Sequence, residues 1–374
     1  MKTFQHNVRY VLSFIVLFWL FSFIQWTENS VSFGPVTAEA KITQEIRSSE
    51  ENAVLDEHNP RVKKALDTQK RHTAKLMEIN DVIGTATGIA SDNSPSIVVF
   101  TKKNMEPGII PESLEGVPVR IEVTGEIFAQ PKTLKPGDPT SILKLPVPIG
   151  VSTGNIGECS AGTIGACLKG TAGKVYALSN NHVYALENNA PPGSAILQPG
   201  LYDTRCVSGQ SNVIGTLSAF VQINFAGVNN TVDAAIAESS AAQLKNSTPS
   251  DGYGTPNSKT YTQATGKTPY IGQRVKKYGR TTRLTTGTIT GLDATIKVCY
   301  DSSCSLIATF VNQIVIGRGG FSGAGDSGSL IVTNDSNAYP VGLLFAGGSG
   351  VTIANPIDVV LNSFNSFNVS IDGK

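Results

Sequence analysis

Three stretches of the 374-residue chain carry side chains suited to nucleophilic chemistry. Gly325-Asp326-Ser327-Gly328-Ser329 sets a serine among glycines, ahead of the apolar run Leu330-Ile331-Val332. A serine nucleophile needs its hydroxyl presented on a tight turn. Flanking glycines let backbone N–H groups converge on the oxyanion formed during attack, here the amides of Gly325 and Ser327. His182 closes the run Val175 to Asn181 and is the last of four histidines; His58 and His72 lie around a polar helix, where solvation accounts for them. Asp233 sits inside Val232-Asp233-Ala234-Ala235-Ile236, where a carboxylate is costly to bury unless something accepts it. Imidazole is such a partner: the aspartate fixes its tautomer and stabilises the imidazolium while the other ring nitrogen takes the serine proton. Singly, the three read as a turn histidine, a strand-edge charge and a glycine loop. Together, in the order His182, Asp233, Ser327, they make a candidate catalytic set.

The elements that must hold these groups are short strands. Gly (37 residues) and Pro (19) are abundant while aromatics are 7%, which suits strands and turns and disfavours a helical bundle. From about residue 151, Val/Ile/Thr/Leu runs alternate with turn residues, as in Val221, Ile223 and Phe225 against Gln222 and Asn224, and in Gly287-Thr288-Ile289-Thr290. The pattern predicts an all-β barrel or sandwich. Asn355-Pro356 reads as the capped start of a short closing helix with Ile357, Val360 and Leu361 as its apolar face. Ser329 breaks the G-x-S-x-G frame, which argues against an α/β-hydrolase elbow. With 40% apolar and 16% charged residues the chain can bury a core, so disorder is excluded as its main state. Its formal charge of +1 and lack of a basic run exclude nucleic acid as principal partner.

The N-terminal part has another texture. Lys2, His6 and Arg9 precede the apolar run Val11 to Ile24, and Ala38-Glu39-Ala40 offers a small-x-small cleavage site. Residues 1–40 are thus a signal peptide or an uncleaved anchor, the only element that would bring a membrane contact. Either way the remainder lies outside the cytoplasm, secreted or periplasmic. Asn59-Pro60 and the spacing of Val62, Leu66, Thr73, Leu76 and Ile79 predict a helix over 60–79. Strands follow over 82–89, 97–101 and 117–124, making a small α+β module within 41–125. Pro131, Pro136, Pro139, Pro146 and Pro148 mark 126–150 as an extended linker. The five cysteines suit an oxidising compartment. Local bridges Cys159–Cys167 and Cys299–Cys304 would leave Cys206 over, with other pairings open. No spacing matches a zinc site, and no cofactor is expected.

The runs Ala161-Gly162-Thr163-Ile164-Gly165, Leu178-Ser179-Asn180-Asn181-His182-Val183, Val232 to Ile236, Lys277 to Thr290 and Gly325-Asp326-Ser327-Gly328 resemble the bacterial, secreted branch of the chymotrypsin-like (trypsin-fold) serine proteases, the α-lytic and streptogrisin type. The resemblance implies two antiparallel six-stranded β-barrels over 151–374, a peptide or protein substrate, and a cleft between the barrels. There His182 serves as general base and then acid, Asp233 as its orienting group and Ser327 as nucleophile, with Gly325 and Ser327 lining the oxyanion hole. Asp326 corresponds to the buried acid that sets the oxyanion loop, answered by Lys277 unless that lysine is solvated. Phe321, Phe345, Ala346 and Gly347 fall at substrate-binding positions. Phe345 stands where many members use a serine to bond the aspartate, Val183 follows His182 where a disulfide is frequent, and Ser329 replaces a glycine. Phe321 replaces the acid that selects Arg or Lys, and no histidine follows His182 to select Glu, so small or apolar P1 residues are implied. The run Ile110 to Val119 has a fainter likeness to leader domains, which implies an inhibitory or folding-assisting propeptide cut within 126–150, or else a permanent targeting domain. A catalytically inactive protease-fold binding protein is the alternative to an active zymogen-derived endopeptidase.

Overall fold

The computed structural model describes residues 54–129, 139–207, 209–317 and 319–374. The signal or anchor segment 1–40, the start of the N-terminal module, and Pro131 and Pro136 of the expected linker lie outside the described residues. Within them the protein is mainly β.

Residues 151–239 supply most of an antiparallel sheet: β6 (Ser152–Asn155), β7 (Gly162–Thr163), β8 (Ala166–Lys169), β9 (Val175–Ser179), β10 (Ala195–Gln198), β11 (Asn212–Phe220) and β12 (Ala235–Ser239), joined by the C-terminal β19 (Ser370–Ile371) on β8. Seven strands come from this stretch and β19 is the eighth, the chain's end folding back to cover the β8 edge. The second sheet holds β13 (Arg274–Gly279), β14 (Arg283–Cys299), β15 (Ile307–Gly317), β16 (Leu330–Thr333), β17 (Pro340–Gly348) and β18 (Val351–Pro356). The order β13-β16-β17-β18-β15-β14 is closed by β13 pairing with β14, an antiparallel ring of six. Leu168, Tyr176, Leu178 and Ile236 from the first sheet, Leu330, Val332 and Leu343 from the second and Ile357 from the helix that follows β18 form one buried cluster.

β14, at 17 residues, outruns the ring. Its far half pairs with β1 (Val82–Ile89), Gly84 opposite Ile296 and Gly88 opposite Gly291. The N-terminal strands β1, β2 (Pro95–Thr101), β3 (Ser113–Leu114) and β4 (Val117–Val123) thereby extend the second sheet. The helix Pro60–Met77 starts as its sequence dictates, Asn59 Oδ1 accepting from the amides of Arg61 (3.0 Å) and Val62 (3.4 Å). Gln69, buried on its inner face, donates to Asp293 O (3.0 Å) and accepts from Thr87 Oγ1 (2.7 Å), tying the helix to β14 and β1.

Several expectations are corrected. The alternating run 221–225 is not a strand: Asn188 takes up the backbone of Ile223 on both sides, its Oδ1 accepting from Ile223 N (2.9 Å) and its Nδ2 donating to Ile223 O (2.8 Å). The last helix, Ile357–Asn362, has no side-chain cap, because Asn355 Oδ1 accepts from Asp233 N (3.1 Å) instead. The ends of the proline-rich stretch are built into the fold: Val147 and Ile149 are buried in the first sheet's core, and β5 (Phe128–Ala129) pairs with β14 and β17. Cys159 is bridged to Cys206, not to Cys167, while Cys299–Cys304 closes a turn. Cys167 is free because β8 points it into the apolar core, away from the turn that carries Cys159.

Candidate active site

Adjacent strands bring His182 and Asp233 together. β9 and β12 run antiparallel with Ser179 opposite Ala235, so the residues just past the end of β9 and just before β12 emerge at the same rim. Beyond Ser179 the chain turns into the one-turn helix Asn181–Tyr184. Asn180 Nδ2 donates to Asp233 O (2.7 Å) and Asn181 Nδ2 to Val221 O (2.7 Å), so the two asparagines before the histidine lash this corner to its neighbours. His182 Nδ1 lies 2.6 Å from Asp233 Oδ2, and Asp233 Oδ1 accepts from the His182 amide at 3.3 Å. The aspartate is fully buried. Burial pushes the imidazole toward its neutral form, but the carboxylate beside it, by charge and hydrogen bond, holds its pKa above the ordinary value.

Ser327 sits on the loop between β15 and β16. Gly325 and Gly328 flank its turn at φ +92° each, a conformation glycine alone adopts without strain. A Cβ on Gly328 would lie 2.2 Å from Ser179 Oγ, and one on Gly325 2.5 Å from Arg280 Nη1. Thr163 of β7 clasps the loop to the first sheet: its amide donates to Ser327 O (2.8 Å) and its Oγ1 to Gly325 O (2.9 Å). The Ala324 carbonyl accepts from Thr281 Oγ1 (2.5 Å). In a trans peptide N–H and C=O point opposite ways, so that bond turns the Gly325 N–H away from Thr281. Among the described residues the amides of Gly325 and Ser327 donate to no acceptor.

Asp326 anchors the turn from beneath. Its Oδ1 accepts from the amides of Thr281 (2.8 Å) and Thr282 (3.2 Å), and its Oδ2 from Thr282 Oγ1 (2.6 Å) and the Gly323 amide (2.9 Å). Lys277 is not solvated: it is fully buried, Nζ 3.4 Å from Asp326 Oδ2 and donating to Arg283 O (3.1 Å). Burial pulls the pKa of the lysine down, opposed by Asp326.

The Ser327 hydroxyl donates to Phe345 O (3.3 Å), and His182 Nε2, buried, has no partner among the described residues. Both side chains line one cavity of about 370 Å³ with Ala129, Glu158, Glu187 and Tyr300. Of the four expected substrate-binding residues, Ala346 and Gly347 lie on β17, paired with Ala129 and Phe128. Phe321 and Phe345 do not face a groove: both side chains are buried, Phe345 against Phe310 (ring centroids 4.7 Å apart) and Phe321 in the core of the ring. A large apolar ring is stabilised by that core, at roughly 25 cal/mol per Å² of surface removed from water. Ser322, Gly323, Ala324, Gly347, Gly348 and Phe128 line a neighbouring cavity in their stead.

Sequence reasoning passed over the buried pair formed by Arg280 and Asp203, which also accepts from Ser152 Oγ at 2.5 Å. It passed over Tyr300 as well, whose Oη lies 2.9 Å from Asp233 Oδ2. A lone Asp in the turn Leu201-Tyr202-Asp203-Thr204 was a faint signal for the first; nothing local marked the second.

No family model matches the chain, and no curated protein does. Solved structures of bacterial chymotrypsin-like serine proteases do resemble it in fold. A glutamic acid-specific serine protease is 18% identical at a TM-score of 0.41, over 60% of this chain and 100% of that one. Thermobifida fusca protease A is 15% identical at 0.41, over 61% and 100%, and a Nocardiopsis protease 17% identical at 0.40, over 60% and 99%. The two disulfides fit an extracytoplasmic location, and no helix among the described residues is long and apolar enough to cross a membrane.

Proposed function

We propose that the protein is a secreted serine endopeptidase working through an acyl-enzyme on Ser327. The observation that carries the reading is the His182–Asp233 pair, whose Nε2 has no partner among the described residues and whose histidine lines the same cavity as Ser327. For attack the Ser327 hydroxyl exchanges the Phe345 carbonyl for Nε2, a side-chain rotation of the kind expected when a substrate-free site tightens around its ligand. Oγ then adds to the scissile carbonyl carbon as its proton passes to Nε2, and Asp233 accepts from Nδ1–H and stabilises the imidazolium. The amides of Gly325 and Ser327 bind the oxyanion. Collapse breaks the C–N bond, the amine leaves with the proton from Nε2, and water repeats the sequence on the ester. The cavity lined by Ser322, Gly323, Ala324, Gly347 and Gly348 carries no charged group, which supports an uncharged P1 residue.

A fluorophosphonate probe tests this. Labelling at Ser327 should disappear in Ser327→Ala and weaken in His182→Ala, and hydrolysis should fall on the order of 10⁴-fold or more in either. A mature protein that takes no label is instead the inactive binding protein.

The N-terminal module reads as an inhibitory propeptide cut within 126–150. β16 leaves β17 beyond Leu343, and β5 takes the vacated edge antiparallel at Ala346 and Gly347, as an extended peptide adds to an open strand. Sequencing the secreted product from its N-terminus should place the start within 126–150; a fully active chain beginning at residue 41 overturns the idea.

A further inference from the structure

The carboxylate of Asp233 is held by a group the sequence did not point to. On β17, Phe345 has its side chain buried against Phe310, and its carbonyl accepts from Ser327. Asp233 accepts a hydroxyl from another element: Tyr300 Oη reaches Oδ2 at 2.9 Å, the same oxygen that His182 Nδ1 meets at 2.6 Å. We infer that Tyr300 is a positioning residue for the His182–Asp233 pair, supplying its hydroxyl from the β14–β15 hairpin.

The hairpin is built to aim that side chain. Tyr300 follows directly on β14, in a turn closed by the Cys299–Cys304 bridge, by Tyr300 N donating to Leu306 O (2.8 Å) and by Asp301 Oδ1 accepting from the Ser305 amide (2.7 Å). Phe225 meets the Tyr300 ring edge-on at 5.3 Å between centroids, Phe310 flanks it at 6.3 Å, and the His182 ring stands edge-on to it at 5.9 Å. The loop before Asp233 is fixed to the same hairpin, Asn230 N donating to Thr309 O (2.8 Å) and Asn230 O accepting from Val311 N (2.9 Å). Donor and acceptor are therefore carried by segments that pair with one another.

The electrostatic consequence has a definite sign. A hydrogen bond from Tyr300 draws negative charge from Oδ2, so Asp233 stabilises the imidazolium less than an otherwise unbonded carboxylate would. Burial and the carboxylate keep the phenol protonated, well above its ordinary pKa, so it remains a donor at working pH. The other charges facing His182 are Glu187 and Glu158, and Glu187 also faces Tyr300.

The inference rests on the protease reading, and the test separates the two. His182 is one of four histidines, so its titration can be followed by NMR of labelled imidazole alongside the pH profile of kcat/KM. In Tyr300→Phe, which keeps the ring packing, the His182 pKa and the acid limb of kcat/KM should both rise by about half to one pH unit. Replacing Tyr300 with 3-fluorotyrosine, a stronger donor of nearly the same size, should move both downward, and this arm stands if the phenylalanine variant does not fold. Phe225→Leu, which loosens the ring that carries the donor, should move both in the same direction as Tyr300→Phe and by less. An unmoved His182 pKa in folded variants whose parent labels with fluorophosphonate overturns the role of Tyr300 alone. A parent that takes no label overturns the hydrolase reading, while the NMR shifts still report whether Tyr300 tunes the pair.

Discussion

Glu187 shares the cavity of His182 and Ser327. Burial pushes its carboxyl up to about 7, with the neighbouring His182 pulling the other way. Its folded pKa is thus raised above the ordinary 4.5, so the folded state holds a proton that the unfolded chain releases. The stability linked to that proton is complete below pH 4.5 and is lost as pH rises through about 7. Glu187→Gln should therefore flatten the decline in urea midpoint between pH 5 and pH 8 relative to the unsubstituted protein. A second effect follows from the same charge. Where it is ionised, above about pH 7, Glu187 is one of the groups raising the pKa of His182, so its neutralisation should move the upper part of the acid limb of kcat/KM to lower pH, opposite to Tyr300→Phe. An acid limb that stays put in Glu187→Gln would show the glutamate to be screened from the imidazole.

The turn that presents Ser327 is held by elements remote from it in sequence. Arg280, just past β13, lies under Gly325 and pairs with Asp203 from the turn between β10 and β11, the two side chains 1% and 2% exposed. Asp203→Asn leaves the guanidinium buried without its charge partner, a change that costs about 3–5 kcal/mol in comparable buried pairs. Chemical denaturation should register it, and a loss under about 1 kcal/mol would mean that water or another acid takes over. Gly325→Ala acts on the same spot by another route. The residue has φ +92°, and the added methyl would meet Arg280 Nη1 and Thr281 Oγ1, so the oxyanion-loop peptide must shift. kcat should fall by about 10²-fold or more, the scale of losing one oxyanion donor, with KM little changed.

Across the whole molecule, two closures of unequal length constrain the chain. Cys159–Cys206 spans 47 residues and Cys299–Cys304 spans 5. On the chain-entropy account, losing the first costs about 4 kcal/mol and the second about 2 kcal/mol. Cys206→Ser should thus lower the unfolding free energy roughly twice as much as Cys304→Ser. The second bridge is the more telling for function: Cys304→Ser loosens the turn that aims Tyr300, so it should disturb the His182 titration, which Cys206→Ser should leave alone. The long β14 links these levels, running from the ring, past β1 of the N-terminal module, to the turn beside Asp233.

Local physics was legible in the order of residues. Asn59-Pro60 set the start of the helix, β1 fell on the predicted 82–89, and the glycines around Ser327 announced a turn that only they can make. The succession of His182, Asp233 and Ser327 suggested the site because histidine is scarce in the chain, while an aspartate inside an apolar run and a serine among glycines are marked out by their neighbours. What only the tertiary structure decided were meetings between distant groups: Tyr300 with Asp233, Arg280 with Asp203, Cys159 with Cys206, and Asn355 with the Asp233 backbone. The run 221–225 shows the reverse case, a strand-like pattern overruled by one asparagine side chain from another loop. A cap or a strand period repeats along a few residues and so leaves a mark in the sequence. A single contact between segments far apart in the chain repeats nowhere, and its partners are fixed only when packing brings the sheets together.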